Sequence, residues 1–200
     1  AFLLKLENVA WFEEGKVRIL DRRVYPRGIK YVECKSYTDV VAAIKSMITQ
    51  SGGPYLAASM GMVLAAYEGR KLSGEEFYTF MKQAAYELSH ARPTTSKRMI
   101  DIVNGALKVV EDNLHQGSLT VQKLQEYAID EVTQRYARIK KMGDQLAELI
   151  PKNGRVMTQC FAETVIGMML LRLKELGNQQ VEFFCPETRP YLQGARLTAS

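Results

Sequence analysis

Val9–Ala10–Trp11–Phe12 and Val17–Arg18–Ile19–Leu20 are two short apolar runs separated by Glu13–Glu14–Gly15–Lys16. Such runs around a glycine-containing turn predict a β-hairpin. Ile29–Cys34, after Pro26–Arg27–Gly28, predicts a third strand. From Ser36 the period becomes helical. Val40, Val41, Ile44, Met47 and Ile48 share one face of a helix capped by Ser36 or Thr38. Gly52–Gly53–Pro54 stops that helix and starts another, which runs to about Gly69. Ser73–Gly74–Glu75–Glu76 opens a third, ending near His90, and Pro93 begins a fourth that reaches about Leu114. A long helix follows Gly117–Ser118. Its apolar residues Val121, Leu124, Ala128, Val132, Ile139, Met142, Leu146 and Leu149 recur mainly every three or four residues, and Pro151–Lys152–Asn153–Gly154 closes it.

The pattern then shortens again. Arg155–Cys160 predicts a strand, Thr164–Leu176 a helix ending at Gly177, and Val181–Cys185 a second strand. Strand, helix and strand with short links make a βαβ unit, which requires parallel pairing and a right-handed crossover. The fold class is therefore α/β: a β meander over 1–35, a helical domain over 36–150, and the first part of an open parallel α/β sheet over 151–200. The small residues Ala57, Ala58, Ser59 and Gly61 predict close packing of the second helix on another. Two parallel strands do not make a stable sheet alone, and Ala199–Ser200 falls where another helix is due. The expectation is that 200 residues are not the whole natural protein, its remainder lying on another chain or having been removed.

Composition narrows the class. Apolar residues make up 46% and charged residues 24%, a balance that builds a core and excludes wholesale disorder. The formal charge of +5 is spread out, with no basic run. It suits a phosphorylated metabolite, while nucleic acid would call for a basic stripe interleaved with aromatics. Three scattered cysteines, Cys34, Cys160 and Cys185, without a CxxC, fit a reducing, cytoplasmic setting. His90 and His115 have no metal-ligand neighbour at i+3 or i+4, so neither a metal nor a cofactor is expected. The start of the chain has no secretory pattern. The apolar stretch Val165–Leu173, broken by Arg172 and followed by Lys174, is too short to cross a bilayer.

Four places carry candidate chemistry. Cys160 stands at a strand end before a helix, where parallel sheets bind ligands and the first N–H groups of the helix favour a thiolate; the alternative is an inert core cysteine. Glu187–Thr188–Arg189–Pro190 follows the second strand at the same end of the sheet, with Gln193, Gly194 and Arg196 beyond. Glu187 suits sugar hydroxyls and Arg189 a phosphate, or the two form a solvated salt-bridge turn. Gly52, Gly53 and Pro54 outline an anion site at a helix start, or only a tight turn between helices. Arg92 before Pro93 offers a cation at another helix start, or simply begins that helix.

Four segments occur in order: Asp21–Arg22–Arg23, Gly52–Gly53–Pro54, Arg92–Pro93–Thr94, and Glu187–Thr188–Arg189–Pro190 with Gln193–Ala199. This series resembles the methylthioribose-1-phosphate isomerase family, which is related to ribose-1,5-bisphosphate isomerase and to the regulatory subunits of the exchange factor for translation initiation factor two. The ETRP…QGARLTA stretch is the most specific match. The resemblance implies a Rossmann-like domain after the helical one, a homodimer, and a cysteine after a strand in a segment reading roughly THCNTG. Thr158–Gln159–Cys160–Phe161–Ala162–Glu163 keeps the cysteine and changes its neighbours. The family's RGAP turn reads Ser51–Gly52–Gly53–Pro54 here, without the arginine. The family's catalytic aspartate lies beyond residue 200.

What the resemblance implies is an aldose–ketose isomerase acting on a pentose 1-phosphate such as S-methyl-5-thioribose 1-phosphate. Cys160 moves the C2 proton, and Gly53, Arg92 and Gln193 hold sugar and phosphate. A non-catalytic regulatory subunit that binds a sugar phosphate or nucleotide is the alternative. The 200 residues alone are expected to be inactive.

Overall fold

A computed structural model of the chain describes residues 2–178 and 180–199; the chain end expected at Ser200 lies outside the described residues. The chain forms two compact units, Leu6–Val132 and Ala1–Lys5 with Thr133–Ser200.

In Leu6–Val132, strands Ala10–Glu13 (β1), Lys16–Leu20 (β2) and Tyr31–Cys34 (β3) make an antiparallel sheet in sequence order. Glu14 and Gly15 turn the hairpin with φ of 49° and 76°, the left-handed backbone whose twist matches the flanking strands. Ala10 pairs with Ile19 and Phe12 with Val17. All four are buried. The alternate pair, Trp11 and Arg18, faces the other side, where the Arg18 guanidinium lies 4.6 Å over the Tyr31 ring.

Helix α1 (Tyr37–Lys45) takes Ser36 as its cap. The Ser36 hydroxyl accepts from the Asp39 amide at 3.1 Å, and Asp39 accepts from the Ser36 amide at 3.0 Å, a reciprocal box that satisfies two orphan donors. The helix stops short of Met47 and Ile48 because Ser46 Oγ donates to the Ala42 carbonyl at 2.7 Å and Met47 turns left-handed at φ 60°. Helix α2 (Gly53–Gly69) is buried on nearly every side. It is packed by β1, β2, α1, α3 (Gly74–Ser89) and α4 (Ser96–Glu111), which is why its sequence is apolar all round. The missing Cβ of Gly61 leaves room for Leu88 of α3. A single 3-10 turn, Pro93–Thr95, precedes α4, so that helix starts three residues later than Pro93 suggests.

Asp21, after β2, is 2% exposed and accepts from Arg23 Nε at 2.9 Å, Arg23 Nη2 at 2.7 Å and the Arg23 amide at 3.0 Å. These side-chain hydrogen bonds hold its carboxyl below the ordinary carboxylate range. A folded-state value below the unfolded one stabilises above pH 4 or so, and this contribution is lost as pH falls through the folded value. Asp21→Asn is therefore expected to cost about 1–3 kcal/mol at pH 7, in urea unfolding. The gap to wild type should narrow as the pH is lowered below 4; an equal gap at both pH values would contradict the assignment.

Helix α5 (Ser118–Glu148) begins in this unit, burying Val121, Leu124, Ala128 and Val132. Its second half belongs to the other unit, with β4 (Arg155–Met157), α6 (Glu163–Glu175) and β5 (Glu182–Phe184). Strands β4 and β5 are parallel, Val156 opposite Phe183 and Met157 opposite Phe184, as the strand–helix–strand order requires. Val156, Phe183 and Val181 pack on Met169 and Leu173 of α6 and Ala147 of α5. Gly143 has no Cβ, which allows α5 to approach the α6 backbone at Met169 closely. The other side of the strand pair presents Met157 and Phe184, 75% and 51% exposed.

Candidate functional site

Strand β4 ends at Met157, three residues before Cys160, although pairing continues one step as the Thr158 amide donates to the Phe184 carbonyl at 2.9 Å. Cys160 then turns to φ 57°, two residues before Ala162 caps α6. This left-handed backbone is uncommon for a residue with a Cβ and persists where surrounding contacts hold it. Two contacts do so. The half-buried Cys160 Sγ donates to Gln193 Oε1 at 2.9 Å, and Thr198 Oγ1 donates to the Cys160 carbonyl at 2.6 Å.

Both partners come from the loop after β5. The Glu187 carbonyl accepts from the Gly194 amide at 3.2 Å and closes the loop. At Gly194 a Cβ would collide with the Pro186 carbonyl oxygen, so glycine is required there for close approach of two backbones. One π-helical turn, Gly194–Thr198, follows Gln193. Gln193 is 9% exposed. An amide beside a thiol has a chemical use: its oxygen accepts from S–H, and after rotation its nitrogen donates to a thiolate. Glu187 and Arg189 pair with each other at 3.0 Å, both more than half exposed.

In Leu6–Val132, Gly52 caps α2 without a side-chain bond and Pro54 is its second residue. The Gln50 carbonyl accepts from the Gly53 amide at 2.9 Å, and Ser51 has φ 54°. A Cβ on Gly53 would collide with Thr49 Oγ1, so this glycine is explained from within the unit. Arg92 precedes the 3-10 turn in an extended conformation. It is half-buried, and its guanidinium makes no ion pair among the described residues.

Sequence reasoning missed Thr198 and Gln193 as partners of the cysteine backbone and sulfur, 38 and 33 residues away. It also missed Arg98, whose guanidinium lies over the Tyr55 ring at the start of α2. No local spacing marks such contacts. Among the described residues no group of His, Cys, Asp and Glu gathers as metal ligands would, and no helix is long and apolar enough to cross a membrane.

Of the other two cysteines, Cys34 differs from Cys160. Cys34 is fully buried at the end of β3, and burial pushes its thiol up to about 12. Since the thiolate is the nucleophile, iodoacetamide at pH 8 should leave Cys34 unlabelled in the native protein while Cys160 and Cys185, both half-buried, react. Peptide mass spectrometry reads this, and native labelling of Cys34 would contradict it.

Residues 49–200 match the initiation factor 2 subunit family, and the chain belongs to it. Its relatives include proteins named methylthioribose-1-phosphate isomerase. That of Pelotomaculum thermopropionicum is 32% identical over 208 residues, covering 97% of this chain and 55% of the relative. That of Thermotoga neapolitana is 34% identical over 204 residues, covering 98% and 57%. The chain thus spans little more than half the length of the curated relatives it matches. Among solved structures, 5-methylthioribose 1-phosphate isomerase from Pyrococcus horikoshii OT3 superposes with a TM-score of 0.79 at 24% identity, over 96% of this chain and 56% of that one. The delta subunit of translation initiation factor eIF-2B from A. fulgidus gives 0.74 at 24% identity, over 96% and 58%. The fold, mixed helix and sheet, is shared with both.

Proposed function

We propose that the protein is an aldose–ketose isomerase that converts a pentose 1-phosphate, such as S-methyl-5-thioribose 1-phosphate, into the ketose 1-phosphate. The observation that carries this reading is the Cys160–Gln193 pair. A half-buried sulfur stands 2.9 Å from a buried amide, just past a parallel strand end, in a chain whose relatives are named as isomerases.

The chemistry follows from the substrate. A 1-phosphate locks the sugar as a cyclic acetal. An acid must protonate the ring oxygen, the C2–H must be removed, and a proton must be returned at C1. As thiolate, Cys160 takes the C2 proton; as thiol, it returns the proton to C1. A group that alternates in this way is a general base and then a general acid, and the Gln193 amide has a donor for one state and an acceptor for the other. The ring-oxygen acid is the family's aspartate beyond residue 200. In Leu6–Val132, Gly52, Gly53, Pro54 and Arg92 form an anion site at the start of α2 and of the Pro93 turn. Two strands alone do not make a stable sheet, which supports further strands of a Rossmann-like sheet beside β4 and β5, within a homodimer; exposed Met157 and Phe184 suit a layer packed on that face. Three free cysteines suit a reducing cytoplasm.

A regulatory, non-catalytic subunit is the second reading. It is favoured by the neighbours of Cys160, Gln159, Phe161 and Ala162, which depart from the family's isomerase pattern. Turnover decides between them. The full-length gene product is incubated with S-methyl-5-thioribose, 5-deoxyribose and ribose 1-phosphates, and ketose is read by NMR. Product from any one supports the isomerase; no product from folded protein on all three overturns it.

A further inference from the structure

Gln193 and Thr198 grip the two halves of one residue. Gln193 Oε1 accepts from Cys160 Sγ at 2.9 Å, and Thr198 Oγ1 donates to the Cys160 carbonyl at 2.6 Å. Gln193 comes just before the turn Gly194–Thr198, and Thr198 ends it. In an α-helix, residues five apart point about 140° away from each other, so an ordinary helical turn would offer Cys160 one of the two and not both. This turn is wider. The Ala199 amide donates to the Gly194 carbonyl at 3.1 Å, five residues back. Such i→i+5 bonding is that of a π-turn, and it brings positions five apart toward one side. Leu197, 5% exposed, seats the turn.

The grip matters because of the backbone it acts on. Cys160 has φ 57°, a conformation that a residue with a Cβ keeps only while its surroundings hold it. The sulfur hangs from the Cα–Cβ bond, whose direction turns with the backbone. The bond from Sγ to Gln193 fixes the side-chain torsion alone. The bond from Thr198 fixes the peptide plane that follows the Cys160 Cα. Without it the residue can relax to an ordinary backbone, and the sulfur leaves Gln193.

We propose that Thr198 is a positioning residue for the reaction: its hydroxyl pins the Cys160 carbonyl and so keeps the sulfur aimed for proton transfer. The proposal deepens the isomerase reading and rests on it for the reaction, while the pin itself needs no substrate.

The test uses three variants of the full-length gene product. Thr198→Val removes the hydroxyl and keeps the shape, Thr198→Ala removes both, and Thr198→Ser restores the hydroxyl. Iodoacetamide labelling of native Cys160, read by peptide mass spectrometry, should run about threefold to tenfold faster in the Val and Ala variants and near the wild-type rate in the Ser variant. On the sugar 1-phosphate, kcat should fall about tenfold in Val and Ala, with KM within about twofold of wild type, and Ser should recover most of it. A residue that only supports the fold would lower the melting temperature and leave labelling and kcat of the folded protein unchanged. Wild-type labelling in Thr198→Val and Thr198→Ala, an unchanged kcat in both, or a Ser variant as slow as Val overturns the proposal. These failures leave the isomerase reading standing, because wild-type turnover is measured without the variants. A wild type silent on every sugar phosphate sinks that reading and the catalytic role of Thr198 with it, and labelling then reports on the pin alone.

Discussion

If the proposed isomerase reading holds, Cys160→Ser is expected to lower the kcat of the full-length gene product on the proposed sugar 1-phosphate by roughly 10²- to 10⁴-fold, the usual worth of a proton-transferring side chain. KM should change little, since a group that acts on the C2 proton contributes to the transition state more than to ground-state binding. Serine is the informative replacement. It is close to cysteine in size, it can donate to Gln193 Oε1 as the thiol does at 2.9 Å, and the Thr198 bond to the residue-160 carbonyl at 2.6 Å is untouched. Folding should be intact while the proton acceptor is lost, because a hydroxyl is far less acidic than a thiol. Steady-state kinetics on both forms, with circular dichroism for the fold, are the measurements. Turnover within twofold of wild type would remove the sulfur from the reaction.

Gly194→Ala should disturb the same centre from outside it. The added methyl would run into the Pro186 carbonyl oxygen. That atom belongs to the backbone, so no side-chain rotation relieves the contact. Overpacking of this kind costs about 1–3 kcal/mol. The relief available is opening of the loop that the Glu187 carbonyl closes through the Gly194 amide at 3.2 Å. Opening moves Gln193 off the sulfur and Thr198 off the Cys160 carbonyl. Three results are expected together: a lower melting temperature, faster iodoacetamide labelling of Cys160, and a fall in kcat. Unchanged labelling would show that this loop does not hold the cysteine.

Much of the fold was legible along the chain because it depends on near neighbours. The Glu13–Lys16 turn marked the hairpin, and left-handed Glu14 and Gly15 make it. Ser36 was one of two caps the sequence offered, and Asp39 three residues on decides for it by bonding back. The apolar and small residues of α2 announced a helix surrounded by others, and Gly61 against Leu88 is one such contact. Helix ends were less legible. A hydroxyl at Ser46 and a left-handed Met47 stopped α1, while the apolar spacing alone continued through Ile48.

The candidate site was legible in part. Cys160 stood out because a strand, a cysteine and a helix follow in that order, and the ETRP…QGARLTA stretch pointed to the family. The same stretch suggested Glu187 and Arg189 as ligand contacts, and in the structure these two charges pair at 3.0 Å. Short-range rules do not say whether a carboxylate and a guanidinium two residues apart will face a ligand or each other.

Periodicity, turn residues and caps are local, so the order of strands and helices, the parallel pair and the helix surrounded by others were written in the sequence itself. The left-handed backbone of Cys160, its amide partner 33 residues on, the threonine on its carbonyl and the arginine over Tyr55 were decided only in three dimensions. They depend on which side chains meet once distant segments pack, and the free energy of those meetings has no trace in the spacing of residues along one element.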